Sequence, residues 1–276
     1  MHIACDGRPT LLREVLGKLT RGEISLDEAE KALKMLAIEE VGDLARLDIG
    51  REIRHGIPEV VIAEGKTPED VAEIASKVLA QKGRVIISRA TRQHVEALKS
   101  VMAKDEFLHE SRTGGTVVVK RKDLAARTTW GRVGIITAGT SDIPIAEEAE
   151  VMASEMGCEV TTTYDVGAAG VHRLFLPLKE MITKDVDVIV VVAGREGALP
   201  TLLAGMVDVP LIGVPTSFGY GLGGRGVGAL MAMLQSCSLG LAVVNIDGGI
   251  PAGAVAALIA NRAAKFRASS EGKCCK

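Results

Sequence analysis

Aromatic side chains and a surplus of either charge are both scarce in this 276-residue sequence. Aromatic residues make up only 3%, and 33 basic residues against 35 acidic residues leave a net charge of −2. Proteins that bind nucleic acid usually carry a basic excess or a platform of aromatic rings on which bases stack. Because the sequence has neither, we predict that it has no nucleic-acid partner.

Paired cysteines and a secretory leader are also lacking. The five cysteines show no metal-binding spacing, and the chain opens with Met1-His2-Ile3-Ala4 and then turns polar, which favours a reducing cytoplasm. One uncharged stretch, residues 228–246, is about long enough to cross a bilayer. It contains several Gly and Ser residues and divides into a helical and a β-branched part. We therefore predict a buried helix followed by a buried strand, and no membrane partner.

The first part of the chain predicts two helices and then a small α/β domain. Apolar spacing indicates helix from Thr10 to Ile38, interrupted at Arg21–Ser25, with a capping box at Ser25–Glu28. The elements expected next are a strand at Val60–Ala63, a helix from Thr67-Pro68, a strand at Arg84–Ser88, a helix around His94–Met102 and an edge strand at Thr116–Val119. We expect residues 1–125 to form this N-terminal region, 126–268 a second domain, and 269–276 a disordered tail.

The second domain contains five segments rich in Val and Ile, each separated from the next by enough residues for a helix. Their continuous apolar runs are typical of strands buried on both faces, and their alternation with helices indicates a parallel sheet. The sequence therefore predicts a doubly wound α/β fold. The five strands begin near Val133, Glu159, Val188, Pro210 and Leu241.

Ligands of such sheets bind at the carboxyl ends of the strands. Small and hydrogen-bonding residues follow all five strands, which suits a ligand with phosphates because backbone N–H groups and helix N-termini attract anions. Thr140-Ser141-Asp142 would grip a phosphate or a ribose, or else serve only as a helix cap. The other candidates are Asp165, His172, Arg173, Gly194, Glu196, Ser217 and Asp247.

Three further features of this domain allow two interpretations each. Glu196 and Asp247 would hold a divalent cation through oxygen ligands, although surface capping explains each nearly as well. The Gly-rich segment 221–226 is either a mobile ligand-covering loop or a flexible linker. Cys237 lies between the apolar helix and the fifth strand, where a small buried hydrophobe is commoner than a nucleophile.

Several motifs resemble known families. Val133–Asp142, His172-Arg173, residues 192–200 and Pro210–Pro215 resemble the phosphoribosylaminoimidazole carboxylase (PurE) domain over the C-terminal half. Over nearly the whole chain the sequence is more similar to the LarB family. The additional matches are residues 45–48, 51–54, 56–60, 64–68, 165–173, 236–237 and 242–247.

The LarB resemblance implies a PurE-like α/β domain and a specific reaction. LarB enzymes are pyridinium-3,5-biscarboxylic acid mononucleotide synthases of nickel-pincer nucleotide biosynthesis. They carboxylate the pyridinium ring of nicotinic acid adenine dinucleotide with CO₂ and cleave its phosphoanhydride to release AMP. The resemblance implies Cys237 as the catalytic cysteine and a homo-octamer. Arg54 and Lys66 fall in matched segments and are expected to contact substrate.

This chemistry fits the candidate residues. A thiolate that adds to the pyridinium ring converts it into an enamine, whose carbon attacks CO₂. Loss of the ring proton and departure of the thiolate then restore the aromatic ring. His172 is the first candidate for the base and Glu196 the second. We expect Mg²⁺ at Glu196 and Asp247, and no organic cofactor. Two alternatives stay open, a carboxylase or mutase of purine biosynthesis and a nucleotide-binding regulatory protein without catalysis.

Overall fold

The computed structural model describes residues 11–34, 52, 55–125 and 127–270. The chain divides into two compact units, Met1–Glu59 and Val60–Lys276. The predicted limit at residues 125 and 126 falls inside the second unit, between two of its strands, and the three domain limits stay predictions. The predicted tail begins within the last helix, and its residues 271–276 lie outside the described residues, as do Cys274 and Cys275.

The first unit contains the two expected helices, α1 (Leu11–Thr20) and α2 (Leu26–Lys34). The capping box that starts α2 is confirmed. The Ser25 N–H donates to the Glu28 carboxylate at 2.8 Å, and the Glu28 N–H donates to Ser25 Oγ at 3.2 Å. Val15 and Ala29 are buried, so each amphipathic helix covers an apolar stripe.

The second unit begins with a four-stranded mixed sheet in the order β1-β2-β4-β3. Its elements are β1 (Val60–Ile62), α3 (Pro68–Lys82), β2 (Arg84–Ser88), α4 (Arg92–Val101), β3 (Glu106–Glu110) and β4 (Thr116–Arg121). The start of α3 is as predicted, because Thr67 Oγ1 accepts the Asp70 N–H and Pro68 occupies the first turn. The prediction of an edge strand at Thr116–Val119 was wrong. β4 is an interior strand, because β3 pairs with its outer side.

A parallel five-stranded sheet follows, in the order β6-β5-β7-β8-β9. Its elements are β5 (Arg132–Thr137), α5 (Ile143–Glu155), β6 (Glu159–Thr163), α6 (Phe175–Thr183), β7 (Val188–Ala193), α7 (Ala198–Ala204), β8 (Leu211–Pro215), α8 (Val227–Leu234), β9 (Leu241–Val243) and α9 (Gly249–Ser270). Short 3-10 helices cover Thr140–Asp142 and Ala168–Leu174. The predicted doubly wound α/β fold is confirmed.

Burial on both faces holds for the three central strands only. β5, β7 and β8 are almost entirely buried, whereas β6 and β9 are half-buried because each has one neighbour in the sheet. The prediction of a buried helix and strand in residues 228–246 was also wrong in part. Met231 and Leu234 on α8 are 51% and 62% exposed. No helix in the described part of the chain is both long and apolar enough to span a bilayer.

The two faces of the large sheet are covered differently. On one face, α6, α7 and α8 enclose a core that includes Ile136, Met181, Ile189 and Leu203. On the other face, α9 packs closely against α5. A Cβ at Gly249 would overlap the carbonyl oxygen of Ile145, so only glycine permits this approach.

Two glutamates on α5, Glu148 and Glu155, join the small sheet to the large one. Glu148, 5% exposed, accepts a 2.6 Å hydrogen bond from Ser88 Oγ at the end of β2. Two turns further on, the Glu155 carboxylate, with its side chain 11% exposed, pairs with Lys120 at 2.5 Å and with Arg84 at 3.3 Å. The buried carboxylate of Glu148 and the largely covered one of Glu155 thus each have a polar partner from the small sheet, which burial of a charge requires.

Candidate functional site

A cavity of 660 Å³ opens at the carboxyl ends of the central strands of the large sheet. The strand order reverses between β5 and β7, and ligands of open α/β sheets bind at such a point. Six of the predicted site residues line the cavity: Ser141, Asp142, Arg173, Gly194, Glu196 and Ser217. Thr140 is exposed in the same short helix as Ser141 and Asp142.

Two other hollows are of similar size or larger. One of 880 Å³ lies between α3 and α4, and one of 690 Å³ lies between the small sheet and α5. The first is lined largely by side chains from the surfaces of two helices. The second contains Glu147 and Glu155, which form ion pairs with Arg112 and Lys120. The second reaches the carboxyl end of a strand of the large sheet only at Tyr164, after β6, whereas the 660 Å³ cavity is lined by loops that follow β5, β6, β7 and β8, so it is the better candidate.

Asp142 organises the loop that follows β5. Its carboxylate is buried and accepts hydrogen bonds from Thr216 Oγ1 at 2.6 Å and from the Gly139 N–H at 2.9 Å. Burial raises the pKa of Asp142, while the bonds from Thr216 and from the N–H groups of Gly139 and Gly194 work in the opposite direction. Asp142 thus ties the loops after β5, β7 and β8 together, and the exposed hydroxyls of Thr140 and Ser141 are better placed to meet a ligand.

Close packing of the loops after β7 and β8 explains Gly194. A Cβ at this position would lie 2.6 Å from Thr216 Oγ1 and 2.9 Å from the Phe218 carbonyl oxygen. The Ser217 N–H donates to Asp247 Oδ1 at 2.8 Å, which fixes the loop after β8 to the one after β9. Any side chain larger than that of Gly194 would therefore force the loops after β7 and β8 apart.

An ion pair stands at the β6 end of the cavity. Arg173 Nη1 lies 3.0 Å from Asp165 Oδ2, with side chains 43% and 49% exposed. The Asp165 N–H donates to Thr137 Oγ1 at 3.0 Å, which anchors the backbone at φ +60°. His172 precedes Arg173 in the same 3-10 helix and is exposed. Only Arg173 of these three lines the cavity.

Cys237 lies at the opposite edge of the large sheet. Its side chain is exposed, in the connection from α8 to β9. In this connection the Gly240 carbonyl accepts the N–H of Leu211, the first residue of β8. At about 3.3 Å per residue, the five residues of β8 place this connection roughly 16 Å from the carboxyl edge. The fold therefore does not bring Cys237 together with the cavity of its own chain.

The remaining predicted residues are spread out. Lys66, exposed, donates through Nζ to the Ile62 carbonyl at 2.8 Å, and Arg54 lies outside the described residues. Glu196 is exposed at the cavity, whereas Asp247 is half-buried and is not among the residues that line it. Within the described ranges, no group of three or more His, Cys, Asp or Glu side chains is arranged to hold a metal ion.

Four residues near the cavity were missed from the sequence. Arg195, Phe218 and Tyr220 line it. Arg89 follows β2 of the small sheet and donates from Nη2 to the Asp247 carbonyl at 3.2 Å. Arg195 and Phe218 come two and three residues after the strands β7 and β8, and Tyr220 is in the same loop as Phe218, so their positions in the sequence could have indicated them. The sequence position of Arg89 gives no such indication, because Arg89 reaches Asp247 only where the two sheets pack together.

Comparison with known proteins finds two family domains along the chain, the first of which begins before the second unit does. Residues 38–119 match a LarB/PurE-like N-terminal domain, and residues 132–270 match the AIR carboxylase family. The chain is 46% identical to the uncharacterized protein MJ0165 of Methanocaldococcus jannaschii, over 90% of this chain and 96% of that protein. It is 28% identical to the N5-carboxyaminoimidazole ribonucleotide mutase of Thermotoga maritima, over 51% of this chain and 75% of the mutase. The phosphoribosylaminoimidazole carboxylase of Saccharomyces cerevisiae is 27% identical, over 56% of this chain and 29% of that enzyme. The chain belongs to the LarB family, in which a PurE-like domain of the AIR carboxylase type follows a LarB N-terminal domain.

Proposed function

We propose that the protein carboxylates the pyridinium ring of nicotinic acid adenine dinucleotide with CO₂ and hydrolyses its phosphoanhydride. The products are pyridinium-3,5-biscarboxylic acid mononucleotide and AMP. The family supports a carboxylase that acts on a nucleotide. The observation that carries the finer proposal is the exposed thiol of Cys237, because this reaction needs a nucleophile that can reach a ring.

The carboxylation proceeds through a covalent adduct. The Cys237 thiolate adds to a carbon of the pyridinium ring, and the electron pair of the ring neutralises its nitrogen. The resulting enamine carbon forms a bond to CO₂. A base then removes the proton from that carbon, the C–S bond breaks, and the thiolate leaves with the aromatic cation restored.

A second copy of the chain supplies the thiolate, because Cys237 lies at the sheet edge opposite its own cavity. The surface around Cys237 supports this arrangement. Leu239 is 90% exposed and Leu234 is 62% exposed, and Leu202 and Met206 on and beside α7 are about 40% exposed. Exposed apolar residues of this kind are typical of a contact between subunits. A homo-octamer that presses this surface against a neighbouring cavity would complete each site.

The ion pair of Arg173 and Asp165 is suited to the nicotinate ring. That ring carries a positive nitrogen and a negative carboxylate, so an Arg–Asp pair offers one partner to each. Glu196 is the better-placed base because its carboxylate lines the cavity, and His172, beside Arg173, is the second candidate. Thr140 and Ser141, at the start of α5, would hold the phosphates together with helix N–H groups.

Magnesium is a further part of the proposal. Mg²⁺ is commonly bound through one or two carboxylates together with substrate phosphates and water. Where Glu196 instead supplies such a carboxylate at the cavity, the role of base passes to His172, and Asp247 would require movement of the loop that its bond to Ser217 now fixes. When bound, the ion would stabilise negative charge on the leaving phosphate. The cytoplasm is the compartment in which we expect this reaction, since Cys237 must stay reduced.

The test is to incubate the protein with nicotinic acid adenine dinucleotide, bicarbonate and Mg²⁺ and to detect products by mass spectrometry. We expect AMP and a mononucleotide heavier by one carboxylate. Cys237→Ala should lower the rate at least about a thousandfold, and Ser236→Ala, beside it, should leave the rate within about twofold. Turnover of an aminoimidazole ribonucleotide that does not depend on Cys237 would instead establish the purine-pathway alternative.

The role of the second copy has its own test. Cys237→Ala and Glu196→Gln are each expected to be inactive, one lacking the thiolate and the other the carboxylate at the cavity. When the two variants are co-expressed, some sites combine an intact Cys237 from one copy with an intact Glu196 from another. Activity should therefore return in the mixture. If the mixture stays as inactive as its components, the thiolate does not come from a second copy.

A further inference from the structure

Two aromatic side chains stand at the β8 end of the cavity, in a sequence that contains only one Trp, two Tyr and four Phe. Phe218 and Tyr220 follow β8 and line the cavity, and their side chains are 49% and 80% exposed. Exposure alone does not distinguish them, because Trp130, Phe175 and Phe266 are also exposed; what sets them apart is that they line the cavity. Their position beside a polar cavity indicates contact with a ligand.

The ring of Tyr220 is already stacked on one side. The guanidinium carbon of Arg195 lies 4.1 Å from the ring centroid, which is a cation–π contact. Arg195 has φ +53°, and its loop is held against the loop of Tyr220 by the close packing at Gly194. The high exposure of Tyr220 leaves ring surface accessible to a second planar group. Arg195 and Tyr220 thus form a stacking platform whose two loops are fixed to each other.

Charge decides which planar group the platform accepts. The pyridinium ring is a cation, and Arg195 beside it would repel it. Adenine is neutral at physiological pH and stacks well on tyrosine. The other end of the cavity carries the Arg173–Asp165 pair, which suits the nicotinate ring.

The separation of these two ends matches a dinucleotide. Arg173 follows β6 and Tyr220 follows β8, and three steps between neighbouring strands separate β6 from β8. At about 4.8 Å per step, the distance across the cavity is roughly 14 Å. This distance suits a ligand with a ring at each end and phosphates between them.

We propose that Tyr220, backed by Arg195, stacks on the adenine of the dinucleotide and fixes which end of the substrate enters each end of the cavity. The inference rests on the proposed function, and it adds the adenine subsite and the direction of binding.

The test measures the binding of each half of the substrate by isothermal titration calorimetry. Tyr220→Ala should weaken the binding of AMP by about tenfold and leave the binding of nicotinic acid mononucleotide within about twofold. Tyr220→Phe keeps the ring and should bind AMP as the wild type does. Phe266→Ala is the matched control, because Phe266 is also exposed and also stacks on an arginine, Arg262 at 5.7 Å, but is not a cavity residue. It should leave both affinities unchanged.

The outcomes separate this inference from the proposed function. Failure of the wild type to bind AMP, unchanged AMP binding by Tyr220→Ala, or an equal loss for the mononucleotide would each overturn the adenine subsite, even if the carboxylated product forms. A selective loss of AMP binding by Tyr220→Ala would support it, even if no carboxylated product is detected.

Discussion

The hydrogen bond from Ser88 to Glu148 should be a measurable part of the stability of the second unit. It joins β2 of the small sheet to α5 of the large one at 2.6 Å, and the Glu148 carboxylate is almost inaccessible to solvent. A hydrogen bond to a charged group contributes roughly 1.5–3 kcal/mol. Because solvent reaches Glu148 poorly, water should replace the lost donor only in part. We expect Ser88→Ala to lower the free energy of unfolding by about 2 kcal/mol.

The loss should also depend on pH. Burial raises the pKa of Glu148, while the hydrogen bond from Ser88, the charge of Arg89 and the Ile250 N–H lower it. Since the folded-state pKa lies above the unfolded value, ionisation of Glu148 costs stability as the pH rises through the folded-state pKa. Removing Ser88 raises the folded-state pKa further and increases that cost. The difference between wild type and variant should therefore be largest when Glu148 is ionised in both, and shrink as the pH falls and both become protonated.

Urea unfolding at fixed protein concentration, from about pH 8 down to about pH 4, measures both effects. Ser100→Ala provides the control, because the Ser100 hydroxyl bonds only to the Ala97 carbonyl in an exposed turn of α4. It should change the free energy of unfolding by no more than about 0.5 kcal/mol. A loss for Ser88→Ala as small as that of the control, or one that does not change with pH, would show that the bond to Glu148 does not stabilise the folded protein in this way.

Two further predictions concern the large sheet. Gly197→Ala should lower the free energy of unfolding by more than about 1 kcal/mol, because Gly197 has φ +61° and a Cβ would lie 2.7 Å from the Ala229 carbonyl oxygen; urea unfolding measures this, and Gly115→Ala, in open space, should change little. Burial raises the pKa of Cys158 to about 11, so iodoacetamide at about pH 8 should modify the exposed Cys237 and leave Cys158 unmodified in the folded protein. Peptide mass spectrometry distinguishes the two sites, and equal labelling would contradict the packing around Cys158.

The large sheet could be predicted from the sequence because its signals are local. A central strand such as β7, Val188–Ala193, is apolar at every position, and a parallel sheet is the usual structure that buries both faces of such strands. Once the strands are assigned, the carboxyl edge follows from chain direction alone. For that reason the sequence alone predicts Ser141, Arg173, Gly194 and Ser217 as site residues, and all four line the cavity.

Two features are not predicted from the sequence in the same way, the strand β3 and the position of Cys237 relative to the cavity. β3 has the sequence Glu-Phe-Leu-His-Glu, and its polar residues are typical of a solvated edge, so its apolar pattern is too short to indicate a strand. Cys237 was identified by resemblance. Its loop precedes β9 and so lies at the amino end of that strand, whereas the cavity lies at the carboxyl ends of the strands. The direction of each strand was already implied by the alternating pattern. This direction could therefore have predicted that the thiol and the cavity of one chain lie at opposite edges.

The link between the two sheets also explains why the small sheet matters for the cavity of the large one. Arg89 bonds to the Asp247 carbonyl and lies 3.9 Å from Glu148, and Asp247 in turn holds the loop that contains Ser217. Without the small sheet, the carboxylates of Glu148 and Glu155 would lose their partners from β2 and β4 and would be hydrated instead. These polar contacts therefore join the large sheet to the small one, and the bond from Arg89 to Asp247 also links the small sheet to a loop beside the cavity. That connection is a physical reason for residues 60–270 to behave as one compact unit although they match two family domains.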